Sequence, residues 1–172
     1  AAKEIRERLA AALGDPSVSE EIWAGTFHAI CMRILRKHGY RLGYPDNCTI
    51  YDTDDQKKLL SSCMKQLNID DKQLPVKSVQ NAISRAKDRM MTPDDFAAEA
   101  GRDFRAKQIA RIYEAYQQIL RESNAMDFDD LIMQTVLLLQ QYPSVRQAYQ
   151  DRFRYLSVDE FQDTNVAQLR LT

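Results

Sequence analysis

Tyr155-Leu156-Ser157-Val158-Asp159-Glu160-Phe161-Gln162-Asp163-Thr164-Asn165 runs a short, β-prone apolar segment straight into a cluster of acids. In open α/β sheets, ligand-binding groups collect at the carboxyl ends of strands, where the chain turns and neighbouring side chains converge. A strand over 155–158 would place Asp159 and Glu160 at such an end. A second β-prone segment, Ile22-Trp23-Ala24-Gly25-Thr26, lies far upstream. Two strands so far apart make at best a marginal sheet on their own. They are expected to be parts of an α/β domain, with everything between them an inserted helical unit.

Helical spacing fills that middle. Phe27, Ile30, Cys31, Ile34, Leu35 and His38 share one face and predict a helix closed by Gly39. Thr53 with Gln56 fits a capping box ahead of Leu59, Leu60, Cys63, Met64 and Leu67. Val79, Ala82, Ile83 and Ala86 mark a further helix, and Thr92-Pro93-Asp94-Asp95 starts another. Ile109, Ile112, Tyr113, Tyr116, Ile119 and Leu120 define a long one. Asp127 caps the next, and Pro143-Ser144 opens a helix through Tyr149. Ahead of the first strand, Ile5, Leu9 and Leu13 repeat every four residues, and Gly14-Asp15-Pro16 ends that helix. A mainly α chain is expected.

Composition supports this and removes several function classes. Five glycines and five prolines are roughly half of average usage, too few for a turn-rich β-sandwich. No apolar run approaches the roughly 20 residues that cross a bilayer, so no membrane partner is expected. With 24 Lys and Arg against 25 Asp and Glu, nucleic-acid binding would need a local basic surface. Cys31, Cys48 and Cys63 show no paired spacing and read as reduced, mostly buried thiols.

An aspartate at a strand end can hold Mg²⁺ largely through water, since that ion keeps most of its hydration. An adjacent glutamate can orient and deprotonate an attacking water. Asp159 and Glu160 fit those roles, although Asp-Glu is also an ordinary surface dipeptide. The stretch from Thr26 to Tyr44 carries Arg33, Arg36, Lys37 and Arg41 with no acid, either a positive strip for nucleic acid or a solvated face. Phe27 shares the apolar stripe and fits a core residue better than a base-stacking one. Arg85, Lys87 and Arg89 read as a solvated helix face, and Tyr113 and Tyr116 as core. Asp127, Asp129 and Asp130 read as a cap and first-turn acids rather than a metal cluster.

Asp159-Glu160-Phe161-Gln162-Asp163-Thr164-Asn165 resembles motif II of the superfamily I DNA helicases of the UvrD/Rep/PcrA type. Ala1 to Arg8 is similar to the tail of motif Ia, Gly25-Thr26-Phe27-His28 to motif Ib, and Asp127-Phe128-Asp129-Asp130-Leu131 to a stretch of the helical subdomain. The resemblance implies an ATP-dependent 3′ to 5′ DNA translocase built on two RecA-like domains, 1A and 2A, with inserted helical subdomains 1B and 2B. Residues 1–26 and 154–172 would then be parts of RecA-like domain 1A, and residues 27–153 subdomain 1B. It implies that Asp159 binds Mg²⁺ and the ATP it accompanies, that Glu160 is the general base, and that Gln162 links nucleotide state to DNA. It also makes Thr26 and His28 single-strand contacts; with Phe27, Arg33 and Arg36 from the readings above, they are the candidate residues facing single-stranded or duplex DNA in a cytoplasmic protein.

The chain departs from that family pattern in containing no Gly-Lys-Thr loop to cradle ATP phosphates, and it ends shortly after motif II. The isolated chain is therefore expected to hold ATP and Mg²⁺ only weakly and not to hydrolyse ATP. It is also expected to lean on the absent parts of domains 1A, 2A and 2B, or to self-associate through surfaces they would cover. Two alternatives stand at this point: a piece of a RecB- or AddA-like helicase-nuclease, and a non-catalytic helical module that binds DNA or protein.

Overall fold

The computed structural model describes residues 2–14 and 22–172. Its elements are α1 (Ala2–Leu13), α2 (Phe27–His38), β1 (Thr49–Tyr51), α3 (Thr53–Gln66), α4 (Val76–Asp88), α5 (Pro93–Ala100), α6 (Phe104–Glu122), β2 (Ala125–Asp127), α7 (Phe128–Gln141), α8 (Pro143–Arg152) and α9 (Val166–Leu169). Single 3-10 turns follow α2 and precede α9. The chain is mainly α, as its spacing requires. Gly14 ends α1 with φ 67, while Ala1, Asp15, Pro16 and Glu21 lie outside the described residues.

The start signals act as read at α5, where Thr92 accepts from Asp95 N and Pro93 takes the first turn. They act so again at α7, which Asp127 caps. At α3 the cap lies one residue earlier than Thr53: the Asp52 carboxylate accepts from the backbone of Asp54 and Asp55, and Asp55 reaches back to Asp52 N. An ionised acceptor outcompetes a hydroxyl at a helix start. Gln56 is buried instead and accepts from Gln80 Nε2 at 2.9 Å.

The strands are not where the β-prone segments lie. Residues 22–26 and 155–158 are irregular, and the described sheet is a parallel pair of β1 and β2 in the register Thr49↔Ala125, Ile50↔Met126 and Tyr51↔Asp127. A strand needs a neighbour to take its N–H and C=O groups, and among the described residues none runs beside 22–26 or 155–158.

The short ribbon divides two cores. Successive residues of a strand face opposite ways, so Ala125 enters one core and Met126 the other. The first core packs Leu60, Cys63 and Met64 of α3, Val79 and Ile83 of α4, and Ile112, Tyr113, Tyr116 and Leu120 of α6. The second packs Cys31, Ile34 and Leu35 of α2 against Leu131, Ile132 and Leu138 of α7, with Val145 and Ala167. Burial pushes the Cys31 thiol up to about 11, against a hydrogen bond to Thr135, so it stays a protonated core residue. Cys48 and Cys63 are likewise free and raised by burial.

Candidate nucleotide and nucleic-acid site

Three groups of side chains frame the lower face of α2 and the chain around residues 154–172. The first is the acidic segment. Asp159 and Glu160 are both exposed, and among the described residues neither makes an ion pair. Glu160 N donates to Asp159 Oδ1 at 3.0 Å, and the exposed Glu160 carboxylate has no hydrogen-bond partner among the described residues. Glu160 itself sits in the left-handed region at φ 50, ψ 43. For a residue with a Cβ that conformation costs on the order of 1–2 kcal/mol, and such strain collects at functional positions. The Phe161–Asp163 turn follows, closed when Thr164 Oγ1 donates to Phe161 O at 2.8 Å. Gln162 is exposed on this turn. Asn165 then caps α9: its Oδ1 accepts from Gln168 N at 2.8 Å, and Gln168 Oε1 accepts from Asn165 N at 3.1 Å.

The second group is the start of α2. Thr26 is its N-cap, and its hydroxyl accepts from Ala29 N at 3.2 Å. Phe27 packs against the second core. His28 stands edge-on to Phe128, with ring centres 5.7 Å apart.

The third is a basic cleft of about 410 Å³ lined by Trp23, Arg33, Arg36, Lys37, Tyr149 and Arg152. The Arg33 guanidinium lies 3.9 Å over the Trp23 ring and that of Arg152 5.1 Å from it. Trp23 also meets Tyr149 and Phe153 edge-on. Trp23 Nε1 and Tyr149 Oη are buried without a hydrogen-bond partner. The acid-free strip is thus divided: Arg33, Arg36 and Lys37 gather here with Arg152, whereas Arg41 lies against the rings of Tyr40 and Tyr142.

A fourth group escaped the sequence. Lys87, read above as part of a solvated face, is 1% exposed. Its Nζ lies 2.7 Å from Asp127 Oδ2 and 2.8 Å from Asp130 Oδ1. Tyr116 Oη donates to Asp127 Oδ2 at 2.8 Å, and Gln117 Nε2 to both oxygens of Asp130 at 3.1 Å. Burial opposes the charge on Lys87, yet the two carboxylates outweigh it and hold the ammonium above the ordinary lysine range. Burial likewise opposes ionisation of Asp127, but Lys87 and the hydrogen bonds keep it ionised below the usual carboxylate range. Asp130 goes the other way, up to about 6, through burial and the charge of Asp127. Asp127 and Asp130 are the capping pair expected of them and also the counter-charges of a buried cation. The signal lay in spacing: Val79, Ile83 and Lys87 stand four apart on one stripe.

For Mg²⁺, the fit is that of a single exposed carboxylate, which suits an ion usually held by one or two carboxylates plus phosphate and water. No helix of the described residues is long and apolar enough to cross a membrane.

Sequence comparison with known proteins identifies the family of the chain. The family model of the UvrD/REP helicase N-terminal domain matches residues 1–172. An ATP-dependent DNA helicase PcrA of Leuconostoc citreum is 45% identical over 168 residues, 98% of this chain and 22% of that protein. PcrA helicases of Staphylococcus aureus (strain Mu50 / ATCC 700699) and Staphylococcus epidermidis are 43% and 42% identical over 171 residues, 99% of the chain and 23% of each relative. The chain thus spans less than a quarter of the length of these relatives, and by sequence it belongs to the UvrD/REP helicase N-terminal domain family.

Proposed function

We propose that this chain forms part of the motor of an ATP-dependent DNA helicase that moves 3′ to 5′ along single-stranded DNA in the bacterial cytoplasm. The observation that carries the proposal is Glu160: an exposed, unpaired carboxylate held in the left-handed region beside Asp159, within a chain matched to the helicase family along its whole length. Residues 1–26 and 154–172 belong to RecA-like domain 1A in this assignment and residues 27–153 to subdomain 1B. Asp159 holds the Mg²⁺ that accompanies ATP and offsets charge on its phosphates. Glu160 takes the proton of the attacking water, and Gln162, on the adjoining turn, senses whether nucleotide is present. Thr26, Phe27 and His28 at the head of α2, with Arg33 and Arg36 in the basic cleft, lie along the DNA path.

The test is ATP turnover by the full-length protein with single-stranded DNA. Glu160→Gln lowers turnover on the order of 10²- to 10⁴-fold, the worth of a positioned general base. Turnover equal to wild type overturns the assignment. The 172-residue chain alone, without a phosphate-cradling loop, does not turn over ATP; turnover that Glu160→Gln abolishes would contradict this. Single-strand binding, followed by anisotropy at low salt, weakens when Arg33 and Arg36 are reversed to Glu. Equal affinity removes the cleft from the DNA path.

A further inference from the structure

The last two residues of α4 face opposite ways. Lys87 is sealed between the cores, while Asp88 turns outward and accepts a hydrogen bond from Asn165 Nδ2 at 2.5 Å. Asn165 ends the acidic segment and caps α9. Within residues 154–165 the other hydrogen bonds are local: Glu160 N to Asp159, Asp163 N to Glu160 O, and Thr164 to Phe161 O. Among the described residues, the bond to Asp88 is the one that ties this segment to a distant element. α9 adds a small apolar hold, since Ala167 is buried in the second core and Leu171 packs against it, while Val166 and Leu169 are exposed.

The same carboxylate also lies within electrostatic reach of His28 at the head of α2. Burial and the neighbouring Asp129 raise the Asp88 carboxyl, and the His28 imidazole pulls it back down. Asp129, raised by burial and by Asp127, is pulled down by the same ring and by a hydrogen bond from Ser84. His28 itself stands edge-on to the Phe128 ring, within electrostatic reach of Asp88 and Asp129. Next to Asp88, Lys87 is clamped by two carboxylates, which holds the end of α4 in place.

We propose that Asp88 is a positioning residue that ties the segment carrying Asp159 and Glu160 to the helical unit, so that the placement of these acids relative to the DNA-facing head of α2 depends on the bond between Asp88 and Asn165. The role rests on the helicase assignment above; the latch between Asp88 and Asn165 does not. Asn165→Asp tests both, because Asp caps a helix as well as Asn but sets a second carboxylate against Asp88. Adding Asp88→Asn restores the pair with donor and acceptor exchanged.

In the 172-residue chain, amide hydrogen exchange over residues 159–169 speeds up about tenfold or more in Asn165→Asp and returns towards wild type in the double variant. Unchanged exchange in the single variant overturns the latch, whatever the protein does. In the full-length protein, stimulation of ATP turnover by single-stranded DNA falls about tenfold in Asn165→Asp, with the KM for ATP unaltered, and recovers in the double variant. Faster exchange with unaltered stimulation overturns the positioning role. A wild-type protein whose turnover ignores DNA overturns the helicase assignment and this role together, and exchange still decides the latch.

Discussion

Two pairs of acids, one enclosed and one open, show what the same chemistry becomes in different surroundings. Asp127 and Asp130 are enclosed around Lys87, with Tyr116 and Gln117 taking up further lone pairs. Asp159 and Glu160 are exposed and, among the described residues, form no ion pair. An enclosed pair must be matched within the protein, because an isolated buried charge is costly. A pair left open keeps its charge for something that arrives from outside. The difference separates a structural network from a site more cleanly than residue type does.

The sharpest way to break that contrast is to unmatch the enclosed pair. Lys87→Met leaves two carboxylates facing one another out of water, and urea denaturation at pH 7 should show a loss of about 3–5 kcal/mol. The pH dependence supplies the sign. Without the ammonium, both carboxyls bind protons more tightly folded than unfolded, so stability rises as pH falls from 7 towards 5. Asp130, already pushed up to about 6 in the intact network, leads that change. A Lys87→Met variant equally stable at both pH values would mean that the acids are not its counterparts. A smaller effect comes from Tyr116→Phe, which removes one buried donor to Asp127. It should cost about 1–3 kcal/mol with the fold unchanged by circular dichroism. The smallest is at the open pair: Glu160→Gln should move the stability of this chain by no more than about 0.5 kcal/mol, even though it is the substitution expected to stop turnover.

Much of the helical frame was readable. The stripe from Phe27 to His38, the Thr92-Pro93-Asp95 start and the Asp127 cap are local signals, and local hydrogen bonds satisfy them. The sheet was not readable. Three residues per strand carry too little alternation to register, and what makes Thr49–Tyr51 a strand is Ala125–Asp127, far along the chain. The β-prone segments failed for the converse reason: side-chain preference without a neighbouring backbone does not make a strand. Lys87 failed because charge was weighed ahead of spacing, though its place on the Val79 and Ile83 stripe marked it as inward. For the candidate site, the acids and the head of α2 were visible as motifs. The bond from Asn165 to Asp88 was not, since a side-chain bond across 77 positions leaves no local trace.

The parallel pairing of Thr49 with Ala125 also carries a consequence for synthesis. Most of the helical unit lies within the loop that this ladder closes, and Lys87 is made well before Asp127 and Asp130. A nascent chain that has cleared the ribosome only to the end of α6 holds that lysine with neither counter-charge and β1 with no mate. Until the next dozen residues emerge, the lysine on the buried stripe of α4 lacks the carboxylates that compensate its burial.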